Sequence, residues 1–63
     1  MKLYDVPRNT TIRLVEKPTL PPGSDIPDEI LDFYHIDGMY SYCKNKTDGT
    51  IIHLAAWTEV EIV

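Results

Sequence analysis

Three side chains in the second half of the chain, His35, Cys43 and His53, have the chemistry for catalysis or metal binding. A histidine works as a general base only within reach of its proton donor, and neither His35 nor His53 has a nucleophile or an orienting carboxylate at a useful spacing. The three side chains also fall short of the roughly four ligands that a structural zinc site takes. We therefore expect no enzyme activity, no metal and no cofactor, and we interpret Cys43 as a buried structural cysteine.

Length and charge indicate a small globular domain that covers residues 1–63 and carries a net charge of −4. A core of this size rarely supplies more than ~3–5 kcal/mol, and oligomerisation is a common remedy. The start, MKLYDVPRN, has no apolar signal-peptide core, and no apolar run approaches the ~18 residues of a membrane helix. With a single cysteine, these features predict a cytoplasmic protein without membrane contact.

Short apolar runs separated by turn signals predict an all-β fold. The predicted strands are residues 10–16, 29–36, 39–44, 50–54 and 58–63. Residues 17–28 hold four of the five prolines and predict a long loop after strand one. Residues 3–6 predict an extended lead-in, and residues 55–57 a single 3₁₀ turn before the last strand. Five short strands satisfy their edges best by curling into a small barrel, which predicts an SH3-like barrel, a shape shared with the Sm fold.

The stretch HIDGMYSYC, residues 35–43, predicts a hairpin that is apolar on both faces. A type I′ turn at Asp37-Gly38 pairs Ile36 with Met39 and Phe33 with Tyr42. The face placed inside, because its small residues suit a narrow barrel, carries Ile30, Tyr34, Ile36, Met39, Ser41 and Cys43, with Asp32 as a misfit. The face placed outside carries Leu31, Phe33, His35, Tyr40, Tyr42 and Lys44. Either the chain's own curvature and proline-rich loop cover this second face, or a partner does.

The outer face also suggests two kinds of partner. Tyrosines that stack on bases beside lysines are a known way for small barrels to hold single-stranded RNA or DNA. The predicted nucleic-acid or partner-binding residues are Phe33, His35, Tyr40, Tyr42, Lys44 and Lys46. The acidic balance works against nonspecific binding to phosphates, so the alternative is a protein-interaction module that docks through Phe33, Tyr42 and Trp57.

Three segments, MKLYDVPRNT, HIDGMYSYC and HLAAWTEVEIV, together resemble the small marine cyanophage proteins described as Sm-like. They span about half of the chain. The resemblance implies a five-stranded Sm-like barrel, a homo-oligomeric ring, a role as a phage accessory protein in the host cytoplasm, and nucleic acid or a host or phage protein as partner. The chain departs from the classical Sm pattern at Tyr40, where that pattern has the asparagine that reads uracil, and it lacks the amphipathic N-terminal helix.

Overall fold

The computed structural model describes all 63 residues and contains one antiparallel sheet of five strands. The strands are β1 (Thr10–Leu14), β2 (Ile30–Asp37), β3 (Tyr40–Asn45), β4 (Ile51–Ile52) and β5 (Val60–Ile62). They lie in the order β4-β3-β2-β1-β5, so β4 and β5 are the two edges of the sheet. The all-β prediction with five strands is confirmed. No helix has the length and apolar character needed to cross a bilayer.

The hydrophobic core lies on one face of this sheet, because inward and outward side chains alternate along each strand. On β1, Ile12 is fully buried, whereas its neighbours Thr11 and Arg13 are half-buried. The molecule measures 25 × 23 × 20 Å along its principal axes. The core cluster contains nine side chains: Leu3, Val6, Ile12, Leu31, Phe33, Cys43, Ile52, Leu54 and Val60.

The structure contains a 3₁₀ helix that the sequence did not predict. It spans Leu3–Asp5, in the expected lead-in, and its first residue is fully buried. The segment before β5 instead forms a hydrogen-bonded turn, in which both the backbone N–H and the hydroxyl of Thr58 donate to the carbonyl of Ala55, at 3.0 and 2.7 Å. The N–H of Thr58 and the carbonyl of Ala55 are three residues apart, as in the single 3₁₀ turn that the sequence predicts, although no 3₁₀ helix forms here.

The β2–β3 hairpin corrects the predicted register. Asp37 pairs with Tyr40, so the two turn residues are Gly38 and Met39, one position later than expected. Gly38 has φ 67°, and Met39 is not among the residues with positive φ. A type I′ turn needs positive φ at both central residues, whereas type II′ needs it at the first alone, so the turn is of type II′. The glycine was the decisive residue, but it takes the first central position and not the second.

A β-bulge on β2 then changes which residues share a face. Phe33 pairs with Cys43 and His35 pairs with Tyr42, so Tyr34 is an extra residue without a partner on β3. A bulge of one residue reverses the alternation on its strand. Side chains on both sides of the bulge therefore reach the core, with Phe33 on one side and the partly buried Ile36 on the other. This is why the strand is apolar whichever way its alternation is counted.

The predicted faces of the hairpin are corrected accordingly. Ser41 and Cys43 were expected inside and are buried there. Leu31 and Phe33 were expected outside, and both lie in the core with exposures of 0% and 1%. Met39 was expected inside, but it occupies the turn and is 64% exposed. The outward placement of His35, Tyr40, Tyr42 and Lys44 agrees with their partial exposure.

The segment between β1 and β2 contains no helix or strand and is tied to the sheet by a buried asparagine. The side-chain oxygen of Asn45 accepts a hydrogen bond from the backbone N–H of Asp28 at 2.7 Å, and its amide nitrogen donates to the carbonyl of Ile26 at 3.3 Å. Asn45 is 3% exposed. Further along, the backbone N–H and hydroxyl of Thr47 donate to the Asp28 carboxylate at 3.1 and 2.7 Å.

Replacing Asn45 by alanine is expected to loosen this segment. The change removes two hydrogen bonds and leaves backbone groups of Ile26 and Asp28 without a protein partner, which should destabilise the fold by about 2 kcal/mol. Hydrogen exchange should become faster at residues 26–28 and stay slow at β1 and β2. Asn45→Asp is the matched control. It keeps the oxygen that accepts the Asp28 N–H, so hydrogen exchange at the Asp28 amide should stay slow. Unchanged exchange in the alanine variant would show that the asparagine does not hold the segment.

Candidate nucleic-acid interface

Three rings form a cluster on the outer side of the sheet. His35 on β2 lies opposite Tyr42 on β3, with ring centroids 5.5 Å apart and ring planes within 11° of parallel. His53, the residue after β4, meets Tyr42 at 5.0 Å with an interplanar angle of 80°, an edge-to-face contact. We call His35, Tyr42 and His53 the ring cluster. Tyr42 is 39% exposed, so a part of its surface is open to a ligand.

The backbone fixes the orientation of His53 in the ring cluster. Its Nδ1 lies 3.0 Å from the carbonyl oxygen of Ser41. A carbonyl oxygen only accepts hydrogen bonds, so Nδ1 carries the proton and donates it. In the neutral ring Nε2 is then the acceptor, and in the charged ring it becomes a second donor. The cluster therefore offers a polar edge beside the face of Tyr42.

The two predicted lysines have different electrostatic environments. Lys46 Nζ lies 3.0 Å from Asp32 Oδ1, so its charge is compensated within the protein. Lys44 has no carboxylate oxygen within 4.0 Å of its ammonium group. By alternation along β3, Lys44 points to the same side as Tyr42. Lys44 is therefore a cation without an ion-pair partner on the same side of the sheet as the ring cluster, and its side chain passes close to Gly49.

The structure brings together only part of the predicted site. His35, Tyr42 and Lys44 lie on one surface. Tyr40 points to the same side but lies at the turn end of β3, where it forms an isolated bridge with Ala55. Phe33 is 1% exposed and cannot contact a ligand, which corrects its place in the predicted surface. The cause is the bulge at Tyr34, which moved Phe33 to the inner face.

His53 is the residue of this surface that the sequence analysis missed. The sequence patterns indicated it only as a candidate general base or metal ligand. Ile52 and Leu54 on either side of it are buried, with exposures of 1% and 0%. The alternation of buried and exposed residues therefore turns His53 outward, and the antiparallel β3–β4 pair places it beside Tyr42. In the sequence, the pattern Ile-His-Leu, a polar residue between two apolar ones, was the signal that could have indicated an outward-facing His53.

Cys43 shows no features of a reactive cysteine. Burial raises its thiol pKa to about 11, and the hydrogen bond with Ser41 opposes the shift only in part. The thiolate is the nucleophile and the metal ligand, and at neutral pH this side chain is a neutral thiol. No group of three or more histidine, cysteine, aspartate or glutamate side chains is arranged to hold a metal ion.

A second exposed surface lies at the turn end of the hairpin. The backbone N–H of Tyr4 donates to the carbonyl of Ala56 at 3.0 Å, and the N–H of Ala56 donates to the carbonyl of Met39 at 2.9 Å. These bonds hold three segments together, each with a large exposed side chain: Tyr4 at 56%, Met39 at 64% and Trp57 at 45%. We call Tyr4, Met39 and Trp57 the apolar end patch.

Comparison of the chain with models of known protein families, with curated proteins and with solved structures finds no match.

Proposed function

We propose that this chain is a noncatalytic binding domain that holds single-stranded RNA or DNA on the ring cluster. The exposed Tyr42, which contacts two imidazole rings and has the uncompensated Lys44 two residues along β3, is the observation that carries the proposal. Aromatic faces stack on any base, and a neighbouring cation holds the phosphate backbone. The net charge of −4 works against nonspecific attraction to phosphates, so binding depends on the contacts made at the ring cluster.

The same proposal includes a homo-oligomer of Sm-like barrels in the cytoplasm, as the resemblance implies. β4 and β5 are the two edges of the sheet, and N-terminal residues already cover part of the β5 edge, because Val60 exchanges hydrogen bonds with Met1. Each edge carries an exposed aliphatic side chain, Ile51 at 38% and Ile62 at 48%. Unpaired strand edges with exposed apolar side chains pair readily with another chain. Pairing β4 of one copy with the Ile62 end of β5 in the next, beyond the part that Met1 covers, would join copies into a ring without changing the ring cluster.

A binding assay tests the nucleic-acid proposal. Labelled oligouridylate and oligothymidylate of about 12 nucleotides, a length in the range that small barrels bind, are titrated with protein while anisotropy is measured. Tyr42→Ala should weaken binding about tenfold or more, since one base stack contributes ~1–3 kcal/mol. Tyr4→Ala is the matched control, because Tyr4 is also exposed but lies in the apolar end patch. Equal losses in the two variants would contradict a role for the ring cluster.

Salt dependence separates the contribution of Lys44 from that of Tyr42. Between about 50 and 200 mM salt, the binding constant of Lys44→Gln should depend less steeply on salt. The negative slope of log K against log salt should be smaller in magnitude by about 0.7, as expected for the loss of one contact to a single strand. Tyr42→Ala should leave the slope unchanged, since stacking releases no counterion. No binding by the unmodified protein at low salt would eliminate the nucleic-acid proposal.

The alternative proposal is a protein-interaction module for a host or phage protein. The apolar end patch favours it, because clustered exposed aromatic and methionine side chains are enriched where proteins meet. Asp5 and Asp37, both exposed, lie next in sequence to Tyr4 and close to Met39. A partner for this patch would combine apolar and basic side chains. Binding that is lost in Trp57→Ala and kept in Tyr42→Ala would place this alternative first.

A further inference from the structure

A groove of about 460 Å³ opens on the side of the molecule where β1 ends and the segment 17–29 passes over it. Leu14 and Leu20, both of which pack against the core, contribute apolar surface to it. Ile26 contributes to the rim and is 88% exposed, the largest exposure of any big apolar side chain in the chain. The groove has the size of known ligand sites, which range over roughly 300–1,000 Å³.

Both sides of the groove are anchored to the sheet. Asn45 holds the backbone of Ile26 and Asp28, as described above. On the other side, the backbone N–H of Ala55 donates to the carbonyl of Thr19 at 3.2 Å. Pro18 and Pro27 lie in the two sides and restrict the backbone further. The groove is therefore formed before a ligand arrives, which lowers the entropy lost on binding.

The charges around the groove favour a cationic ligand. Three carboxylates, those of Asp25, Asp28 and Glu29, line it against the single ammonium group of Lys17. Asp28 accepts the hydrogen bonds of Thr47. Asp25 has no ion-pair partner, and Glu29 is 70% exposed at 3.7 Å from Arg13, too far for a strong bond. Asp25 and Glu29 are therefore free to bind a cation at the rim, and they repel phosphate.

We propose that this groove binds a short linear segment of another protein, in which an aliphatic side chain lies next to arginine or lysine. The aliphatic group packs on Leu14, Leu20 and Ile26, while the cation pairs with Asp25 or Glu29. An extended segment fits better than a compact ligand, because the uncovered side chain of Ile26 continues the apolar surface beyond the groove. This site lies apart from the ring cluster and does not depend on the proposed nucleic-acid binding.

Short labelled peptides in which leucines alternate with arginines are the probes, with peptides in which glutamates replace the arginines as the matched set. The arginine peptides should bind, and the glutamate peptides should not. Ile26→Ser should weaken binding about tenfold, as expected for the loss of one aliphatic contact. Asp25→Asn should weaken it about threefold, a typical contribution of an exposed ion pair. Both positions are exposed, so neither change should affect folding.

Matched controls distinguish the groove from the rest of the surface. Asp37→Asn makes the same charge change at the hairpin turn and should leave peptide affinity unchanged, as should Tyr42→Ala. Ile26→Ser should in turn leave oligonucleotide binding unchanged. Equal effects of Asp25→Asn and Asp37→Asn would show that the overall charge alone explains the binding, and would overturn the proposal. Loss of binding in Met39→Ser but not in Ile26→Ser would assign the peptide to the apolar end patch. A change in oligomeric mass in Ile26→Ser, without peptide binding, would assign the groove to a second copy.

Discussion

Replacing Phe33 by alanine is expected to unfold the domain, whereas replacing Tyr42 by alanine should leave it folded. Phe33 is the largest of the fully buried side chains. Truncating a buried phenylalanine to alanine destabilises by about 3–5 kcal/mol, which matches the ~3–5 kcal/mol that a core of this size supplies. Tyr42 is 39% exposed, and its removal leaves no cavity in the core. Circular dichroism in water and urea titrations of both variants measure the difference.

A milder variant keeps this prediction testable if Phe33→Ala cannot be produced. Phe33→Leu retains most of the buried volume and should remain folded, with a free energy of unfolding lowered by about 1–2 kcal/mol. The comparison with Tyr42→Ala also tests the register. In the unbulged hairpin, Phe33 and Tyr42 share one face and would respond alike. Similar destabilisation by both variants would therefore contradict the bulge at Tyr34.

The second large effect is expected from Ser41→Ala. Ser41 Oγ accepts a hydrogen bond from the backbone N–H of Leu54 at 3.1 Å and donates to the carbonyl of Leu54 at 3.0 Å. In a regular ladder the Ser41 carbonyl would accept that N–H, but it is occupied by His53. The serine side chain therefore replaces a missing ladder bond at the end of β4. Removing it leaves a buried N–H without a partner, which should lower the free energy of unfolding by about 1–3 kcal/mol.

Ser24→Ala is the matched control for this effect. Ser24 Oγ donates to the carbonyl of Pro21 at 2.7 Å, but the residue is exposed and water can replace the bond. Ser24→Ala should therefore change the free energy of unfolding by no more than about 0.5 kcal/mol. His53→Ala adds a second check, since it frees the Ser41 carbonyl and should reduce the loss seen on Ser41→Ala. If Ser41→Ala and Ser24→Ala were equally stable, the hydrogen bond from the Leu54 N–H to Ser41 Oγ would contribute nothing to the free energy of unfolding.

The strand content was predictable from the sequence because it depends on local composition. The β-branched run from Thr10 to Leu14 and the glycine at Gly38 act over a few residues, and the structure follows both. The register was not predictable, because it depends on a single extra residue. Tyr34 differs little in type from its neighbours, and bulges follow from twist and packing across strands. One such residue sufficed to exchange the inner and outer placement of Phe33.

Polar contacts between residues that are distant in sequence were likewise not predictable from local sequence patterns. Asn45 follows the predicted strand 39–44, at a position where its residue type and the nearby glycine indicate a turn. It is in fact the last residue of β3, and it is buried because the segment between β1 and β2 brings Ile26 and Asp28 to it. His53 is similar, since its partner in the ring cluster lies on another strand. Both residues have ordinary local patterns, and their roles arise from pairs distant in sequence.

Native mass spectrometry of the protein with one oligouridylate of about 12 nucleotides tests the proposed function most directly, since it reports assembly and ligand together. We expect a homo-oligomer that carries bound oligonucleotide, and a homo-oligomer of the same protein mass without oligonucleotide in Tyr42→Ala. A monomer that carries no oligonucleotide at low salt would contradict both parts of the proposal. Binding at the apolar end patch would then be the leading explanation of the exposed aromatic side chains.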